Sequence, residues 1–175
     1  MIVTVTELLQ LKEFQNEDEI VLERKLKAVE IMIRSKTNNN FQNRLIRFEA
    51  PSTADRLLGA SPYLEAGDTL QISESGVNDG LYVVKSVDDG ETVIEGKLYP
   101  VSHNLVTKVE YPEDIKEGVI NLLIWEKGNR KKVGIKSETL SRHSVTYFDL
   151  DIDNQDMGYP VSLLGFLKSY QRARF

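Results

Sequence analysis

The side chains that most often carry catalysis or bind metals are scarce in this sequence. Cysteine is absent, which excludes thiolate nucleophiles, disulfides and cysteine-ligated zinc. The two histidines, His103 and His143, lie outside metal-binding spacings such as HExxH, and no GxSxG or nucleotide-binding glycine motif occurs. Residues 149–156 resemble the first half of an EF-hand loop, but Asn154 stands where glycine is required and Pro160 where a bidentate glutamate is required. We therefore expect no catalytic activity, cofactor or metal; an enzyme with a site assembled from scattered residues is the weakest alternative.

Acidic residues are concentrated in the middle of the sequence. Residues 65–100 contain eight acids and two bases, a net charge of −6, whereas the whole chain has a net charge of −5. Such a surface repels nucleic acid, as the lining of a DNA conduit does, because like charges keep the strand from adhering. We predict that this segment faces a channel or a partner, and the candidates are the acids at its turns: Asp79, Asp88, Asp89 and Glu91. A solvated acidic surface is the alternative.

Basic residues are concentrated in residues 127–136. The run contains Lys127, Arg130, Lys131, Lys132 and Lys136. Clustered lysine and arginine side chains can bind phosphate, so a nucleic-acid-binding module is one interpretation. The favoured interpretation is a solvated loop that complements the dipole of the preceding helix, because no aromatic residues for base stacking interrupt the run.

The end of the chain combines cations with aromatic rings and contains no acid from residue 165 onward. Arginine and aromatic side chains are the types enriched at interface hot spots, and a chain end can extend onto a partner. We predict that this segment docks onto a partner through Phe166, Lys168, Tyr170, Arg172, Arg174 and Phe175. A frayed terminus is the alternative.

Both ends of the chain have helical patterns. Thr4 with Glu7, and Asn16 with Glu19, are spaced as capping boxes at the start of two helices. A third helix is expected from Pro112 to a C-cap at Gly128, followed by an irregular stretch and a last short helix from residue 160. Apolar residues at helical spacing in residues 22–33 and 115–125 indicate buried faces.

The middle of the chain has the alternation typical of strands. We expect strands at residues 44–48, 69–73, 81–87, 91–95 and 106–109, with turns at 78–80 and 88–90. These patterns predict an α+β fold: a small helical bundle from residues 1–44 plus 111–175, and an inserted small β-barrel or meander subdomain at 45–110.

The sequence contains no signal-peptide pattern and no apolar run long enough to span a bilayer. We expect a protein that acts without a membrane and stays where it is made.

Several stretches of the helical ends together resemble a known family. They are the Thr-Val-Thr-Glu-Leu-Leu start at residues 4–9, the Tyr-Pro-Glu-Asp-Ile-Lys helix start at 111–116, the Gly-Ile-Lys-Ser-Glu and Ser-Val-Thr-Tyr stretches within 134–147, and the Tyr-Gln-Arg-Ala-Arg-Phe ending at 170–175. This combination resembles the head–tail connector adaptor (head-completion) proteins of siphophages and prophages of Gram-positive hosts. The resemblance covers the helical ends, about 110 residues.

The resemblance implies a structural subunit of the virion. Such subunits assemble in the host cytoplasm into a homo-oligomeric ring, typically a dodecamer, beneath the portal protein at the head–tail interface. The ring extends the channel through which double-stranded DNA passes without specific binding, and it presents a surface to the stopper or tail-completion protein. The family typically reaches the portal with the C-terminal segment, which implies portal docking for residues 170–175. The sheet-forming insert departs from the compact, all-helical members.

Overall fold

A computed structural model of the chain describes residues 1–129, 137–140, 143–146, 155–156 and 158–173. The chain forms two compact units. The helical unit comprises residues 2–39 and 112–175, and the sheet unit comprises residues 40–111 with Met1. The helices and the six-stranded antiparallel sheet occupy separate units, so the expected α+β class is confirmed.

Within its described residues, the helical unit contains three α-helices and a C-terminal 3-10 helix. Their bounds are α1 Val5–Leu9, α2 Glu19–Thr37, α3 Glu113–Asn129 and the 3-10 helix Val161–Tyr170. The predicted bundle is not supported, because α1 is only five residues long and the last helix is a 3-10 helix that packs against both α2 and α3. The core consists of leucine, isoleucine and valine side chains, including Leu8, Leu22, Leu26, Ile33, Ile115, Val119, Leu122 and Leu167.

The helix ends agree with the sequence patterns at one site and differ at two. Thr4 and Glu7 form the predicted capping box of α1. The second predicted pair is wrong, because the Asp18 carboxylate caps α2 by accepting from the backbone N–H groups of Ile20 and Val21. Residues 11–17, where the predicted helix would begin, form turns instead. Gly128 lies inside the last turn of α3 rather than at its cap.

The sheet unit is built on one six-stranded antiparallel sheet. The strands are β1 Gln42–Glu49, β2 Arg56–Leu57, β3 Thr69–Ser73, β4 Gly80–Asp88, β5 Glu91–Ile94 and β6 Leu105–Val109, in the order β1-β6-β3-β4-β5-β2. The predicted closed barrel is not supported. Between the two ends of the sheet only Ser52 forms single bridges, to Leu57 and to Val101, so no ladder closes it within the described residues. Only β3, β4 and β5 form a meander.

The hairpin between β4 and β5 has the geometry that its sequence predicts. Asp88 pairs with Glu91, and the two residues between them both have left-handed backbone conformations, with φ of +46° at Asp89 and +81° at Gly90. This is the type I′ pattern, whose twist matches that of the flanking strands. The sequence Asp-Asp-Gly therefore fixes the position of the most acidic turn.

Two short antiparallel pairs follow α3. They are β7 Ser137–Leu140 with β8 His143–Thr146, and β9 Gln155–Asp156 with β10 Tyr159–Pro160. The expectation of an irregular stretch was therefore wrong in these places.

Candidate docking site

The C-terminal 3-10 helix is held by its apolar side chains. Leu164 and Leu167 are buried, at 4% and 0% exposure, and they are three residues apart, the spacing that shares one face of a 3-10 helix. Gly165, which lies between the two leucines, and Lys168, which follows the second, are exposed. The helix thus buries the face that carries Leu164 and Leu167 and leaves other positions exposed to solvent.

The segment that follows this helix is fixed to the end of α2. The Arg172 backbone N–H donates to the Thr37 carbonyl at 2.8 Å. The side-chain amides of Asn38 and Asn39 donate to the carbonyls of Ala173 and Tyr170, at 2.9 and 3.3 Å. These bonds extend the order of the fold to Ala173, so the frayed-terminus alternative does not describe residues 170–173.

The predicted docking residues divide into two groups. The Phe166 ring lies against Gly118 of α3, and the Tyr170 hydroxyl donates to both carboxylate oxygens of Asp114, at 2.7 and 2.8 Å. The hydrogen bond to Asp114 raises the pKa of Tyr170, because it favours the protonated phenol. Lys168 and Arg172 are exposed and available to a partner.

The last two predicted docking residues, Arg174 and Phe175, lie outside the described residues.

A groove runs between α3 and the 3-10 helix, and we call it the α3 groove. Its volume is about 640 Å³. Apolar side chains from both helices line it, and two exposed carboxylates stand among them; the lining residues are Asp114, Glu117, Gly118, Asn121, Ile124, Trp125, Ser162, Leu163 and Phe166. Trp125 is the only tryptophan of the chain. Aromatic rings with neighbouring charges are typical of protein interfaces, so this groove is a second candidate surface.

Sequence reasoning did not find the α3 groove, because its two walls are separated by many residues along the chain. The sequence contained one indication of the close approach between the two walls. Gly118 interrupts the helical pattern of α3, and a Cβ atom there would lie 2.4 Å from the nearest carbon of the Phe166 ring. A glycine inside a helix often marks such a close approach.

The acidic candidates do not form a single cluster. Asp79 precedes β4, where its carboxylate accepts from the Ser75 backbone N–H at 2.9 Å. Asp88 and Asp89 are exposed at the other end of the same strand, and Glu91 begins β5 with an ion pair to Arg56 at 2.9 Å. A nine-residue strand separates the two ends by roughly 25 Å. Among these four candidates, the hairpin turn presents two adjacent exposed acids, Asp88 and Asp89, with no ion pair in the described part of the chain.

The basic run is described only at its start. Lys127 forms an ion pair with Glu17 at 2.7 Å, donates to the Glu13 carbonyl and lies 5.6 Å from the centre of the Phe14 ring. The hydrogen bond from Lys127 lowers the pKa of Glu17. Lys127 is thus engaged in the fold of the helical unit. The other predicted cations, Arg130, Lys131, Lys132 and Lys136, lie outside the described residues.

A second cavity, of about 260 Å³, lies beside a buried carboxylate that the sequence did not predict. Glu126 is 5% exposed, accepts from the Tyr159 hydroxyl at 2.8 Å and lies 3.5 Å from the Lys25 ammonium. These contacts join β10 and α2 to α3. Glu126 therefore has a structural role that its position in the last turns of α3 did not reveal.

Of the two histidines, only the side chain of His103 belongs to the described residues. The His103 Nδ1 atom lies 3.7 Å from the Glu49 carboxylate, and both side chains are exposed. The side chain of His143 lies outside the described residues. Within the described ranges no three His, Cys, Asp or Glu side chains could hold a metal ion. In the part of the chain that the structure describes, no helix combines the length and hydropathy required to cross a membrane.

No protein-family model and no curated protein sequence matches the chain.

Proposed function

We propose that this chain is the adaptor subunit of a tailed phage's head–tail connector. In this proposal, copies form a ring beneath the portal, extend the DNA channel and join the head to the stopper or tail-completion protein. The proposal is supported by the family resemblance of the helical ends and by the geometry of the C-terminal segment. It locates the protein at the head–tail interface of the virion and, during assembly, in the host cytoplasm.

The observation that carries the proposal is the ordered basic end of the helical unit. Hydrogen bonds to Thr37, Asn38 and Asn39 fix the backbone of this segment, whereas the side chains of Lys168 and Arg172 are exposed. A pre-positioned pair of cations loses little conformational entropy when it binds. We propose that these side chains meet an acidic rim on the portal, with charge complementarity selecting the partner.

The same contacts support a division of the proposed docking residues into two roles. Phe166 and Tyr170 pack and hydrogen-bond within the helical unit, so their proposed role is to position the segment. Lys168, Arg172, Arg174 and Phe175 remain the proposed contact residues. Many copies in one ring supply avidity, so each contact can be weak.

The acidic hairpin supports the second part of the proposal. Asp88 and Asp89 are exposed at a turn whose backbone is fixed, and their charges repel DNA phosphates. We propose that this turn faces the channel or a protein partner.

Charge reversal tests portal docking without disturbing the fold. The double variant Lys168→Glu and Arg172→Glu should weaken binding to isolated portal rings by about tenfold or more, because hot-spot cations each contribute more than about 1 kcal/mol. Biolayer interferometry on immobilised portal rings measures this change. Lys85→Glu, at an exposed lysine of β4, is the matched control and should bind normally. Unchanged binding of the double variant would contradict the docking proposal.

A nucleic-acid-binding module using residues 127–136 is the alternative proposal. It requires DNA affinity that falls steeply with salt and is lost when Arg130, Lys131 and Lys132 are neutralised together. A salt titration of DNA binding distinguishes it from the adaptor, through whose channel DNA is expected to pass without specific binding.

A further inference from the structure

Strand β1 contains a segment outside its ladder with β6, and we call this segment the β1 bulge: Arg44, Leu45 and Ile46. The pairing with β6 passes from Asn43 opposite Lys108 directly to Arg47 opposite Thr107, so three residues of β1 have no counterpart. The Leu45 backbone N–H donates to the Asn43 side-chain oxygen at 3.0 Å, and Ile46 packs against the sheet core. Both sides of the bulge are therefore anchored.

The tip of the β1 bulge is exposed and chemically distinctive. Leu45 is 94% exposed, the highest value among the large exposed apolar side chains of the described residues. Arg44 beside it is also exposed and forms no ion pair within the described part of the chain. An aliphatic side chain held in water by an ordered backbone, next to an unpaired cation, has the character of an interface anchor.

The α3 groove has the complementary character. Its walls are apolar, with Ile124, Trp125 and Leu163 each partly exposed. Glu117 stands among them, is exposed, and accepts a long 3.5 Å hydrogen bond from the Asn121 side-chain amide. A leucine can occupy the apolar part of the groove while a neighbouring arginine meets Glu117.

We infer that copies of this chain bind one another head to tail, with the β1 bulge of one copy seated in the α3 groove of the next. The contact joins two different surfaces, so it is heterologous, and such contacts propagate from copy to copy until a ring closes. The inference deepens the proposed adaptor function and rests on it for the ring. It assigns subunit contact to the bulge and the groove, and it leaves the C-terminal segment for the portal.

Disulfide trapping tests the geometry, since the chain contains no cysteine. Leu45→Cys and Asn121→Cys variants, one of them carrying an affinity tag, are mixed at high concentration and oxidised. We expect at least about tenfold more mixed disulfide than for Val77→Cys mixed with Asn121→Cys, because only residues held close in a complex react at high effective concentration. Val77 is the matched control, an exposed apolar residue of the same unit, at 57% exposure. Equal yields, or a predominance of Leu45→Cys homodimers, would overturn the inference.

Charge reversal tests the chemistry of the same contact. Arg44→Glu and Glu117→Lys should each weaken self-association by about two- to fivefold, and a mixture of the two variants should restore it, because each copy then meets an opposite charge. Sedimentation velocity measures association. The emission of Trp125 provides a second readout, since seating the bulge should shift it to shorter wavelength. A mixture no stronger than either variant alone would contradict the proposed pairing.

Portal binding separates this inference from the adaptor proposal. If trapping fails while portal binding persists, the bulge–groove contact is wrong and the adaptor proposal stands. If trapping succeeds while portal binding is absent, the self-contact stands without that function.

Discussion

The side-chain amide of Asn78 ties three loops of the sheet unit together. Its Nδ2 atom donates to the Tyr99 carbonyl, the Asn104 Oδ1 atom and the Ser52 hydroxyl at 2.9 to 3.1 Å, and its Oδ1 atom accepts from the Tyr99 N–H at 2.7 Å. Asn78 is 1% exposed and Asn104 is 0% exposed. Water cannot replace these bonds without opening the loops, so this one residue determines how the turn before β4 meets the turn before β6.

We expect Asn78→Ala to lower the free energy of unfolding by about 2–4 kcal/mol, because it leaves buried backbone and side-chain groups without partners. Urea denaturation followed by circular dichroism measures the change. Asn121→Ala, at an exposed asparagine of α3, should change stability by no more than about 0.5 kcal/mol. A loss below about 1 kcal/mol for Asn78→Ala would mean that the loops relax to satisfy these groups.

The capping box of α1 makes stability depend on pH. Glu7 accepts from the Thr4 hydroxyl at 2.7 Å and from the Thr4 backbone N–H at 2.6 Å. These bonds hold the pKa of Glu7 below its ordinary value of 4.5, with the side-chain bond as the largest cause. A lowered carboxyl pKa stabilises the folded state above the unfolded pKa, and this contribution is lost as pH falls through the folded pKa.

Glu7→Gln should therefore melt at a lower temperature than the natural chain near neutral pH, and the difference should shrink as pH falls below 4.5. Thermal melts across an acid pH series measure this. Thr4→Ala, which removes the hydroxyl donor, should likewise make the stability of the protein depend less on pH. A difference that stays constant with pH would show that Glu7 acts by packing rather than by charge.

At the scale of the elements, the approach of α3 to the 3-10 helix depends on one missing side chain. A Cβ atom at position 118 would lie 2.4 to 2.6 Å from three ring carbons of Phe166, which is closer than carbon atoms pack. Glycine costs a helix interior about 1 kcal/mol relative to alanine, so Gly118 lowers the stability of α3 but permits close packing against Phe166. The floor of the α3 groove depends on this close packing.

We expect Gly118→Ala to destabilise the protein by about 1–3 kcal/mol, because the clash with Phe166 outweighs the gain in helix propensity. In a Phe166→Ala background the same substitution should instead stabilise by up to about 1 kcal/mol. Gly128→Ala is the matched control in α3, since its Cβ atom would meet open space. Urea denaturation of the natural chain, the two single variants and the double variant measures the change of sign. If the sign does not change, the ring moves aside freely.

The elements also show what the sequence can and cannot predict. The strands of the sheet were predictable because their period of two and their turn residues, such as the Asp-Gly pair at 89–90, are local signals. Strands β2, β9 and β10 are two residues long, too short to show a period. Asp18 replaced Asn16 as the cap of α2 because residues 11–17 fold into turns, which no propensity at one position reveals.

The candidate site was predictable in its residue types and not in its geometry. The C-terminal sequence shows cations and aromatic rings, but only the structure separates the exposed Lys168 and Arg172 from the packed Phe166 and Tyr170. The α3 groove combines residues from two helices that lie far apart in the chain. Such nonlocal pairs leave no spacing pattern, apart from the glycine at 118.

At the scale of the whole molecule, the sheet unit begins and ends at neighbouring points. The rings of Phe41 and Tyr111 lie 4.8 Å apart, and the Glu110 N–H donates to the Phe41 carbonyl at 2.9 Å. A short turn can therefore bridge the positions at which the chain enters and leaves this unit.

A chain in which residues 42–110 are replaced by a short Gly-Ser turn should keep the helical unit folded. We expect native emission from Trp125 and a helical circular dichroism spectrum, with portal binding retained and bulge-dependent self-association lost. Fluorescence, circular dichroism and portal-ring binding measure these three properties. Loss of native Trp125 emission would show that the helical unit needs the sheet unit in order to fold.

The β1 bulge has a further consequence for the ring proposed above. Strand β1 lies at one end of the sheet order, and an uninterrupted strand at that position is a template on which another strand can polymerise. An added strand needs a continuous row of backbone donors and acceptors, and the three unmatched residues at 44–46 interrupt that row. The bulge therefore hinders the addition of a further strand at this edge, and subunits of the proposed ring can meet through side chains without joining their sheets.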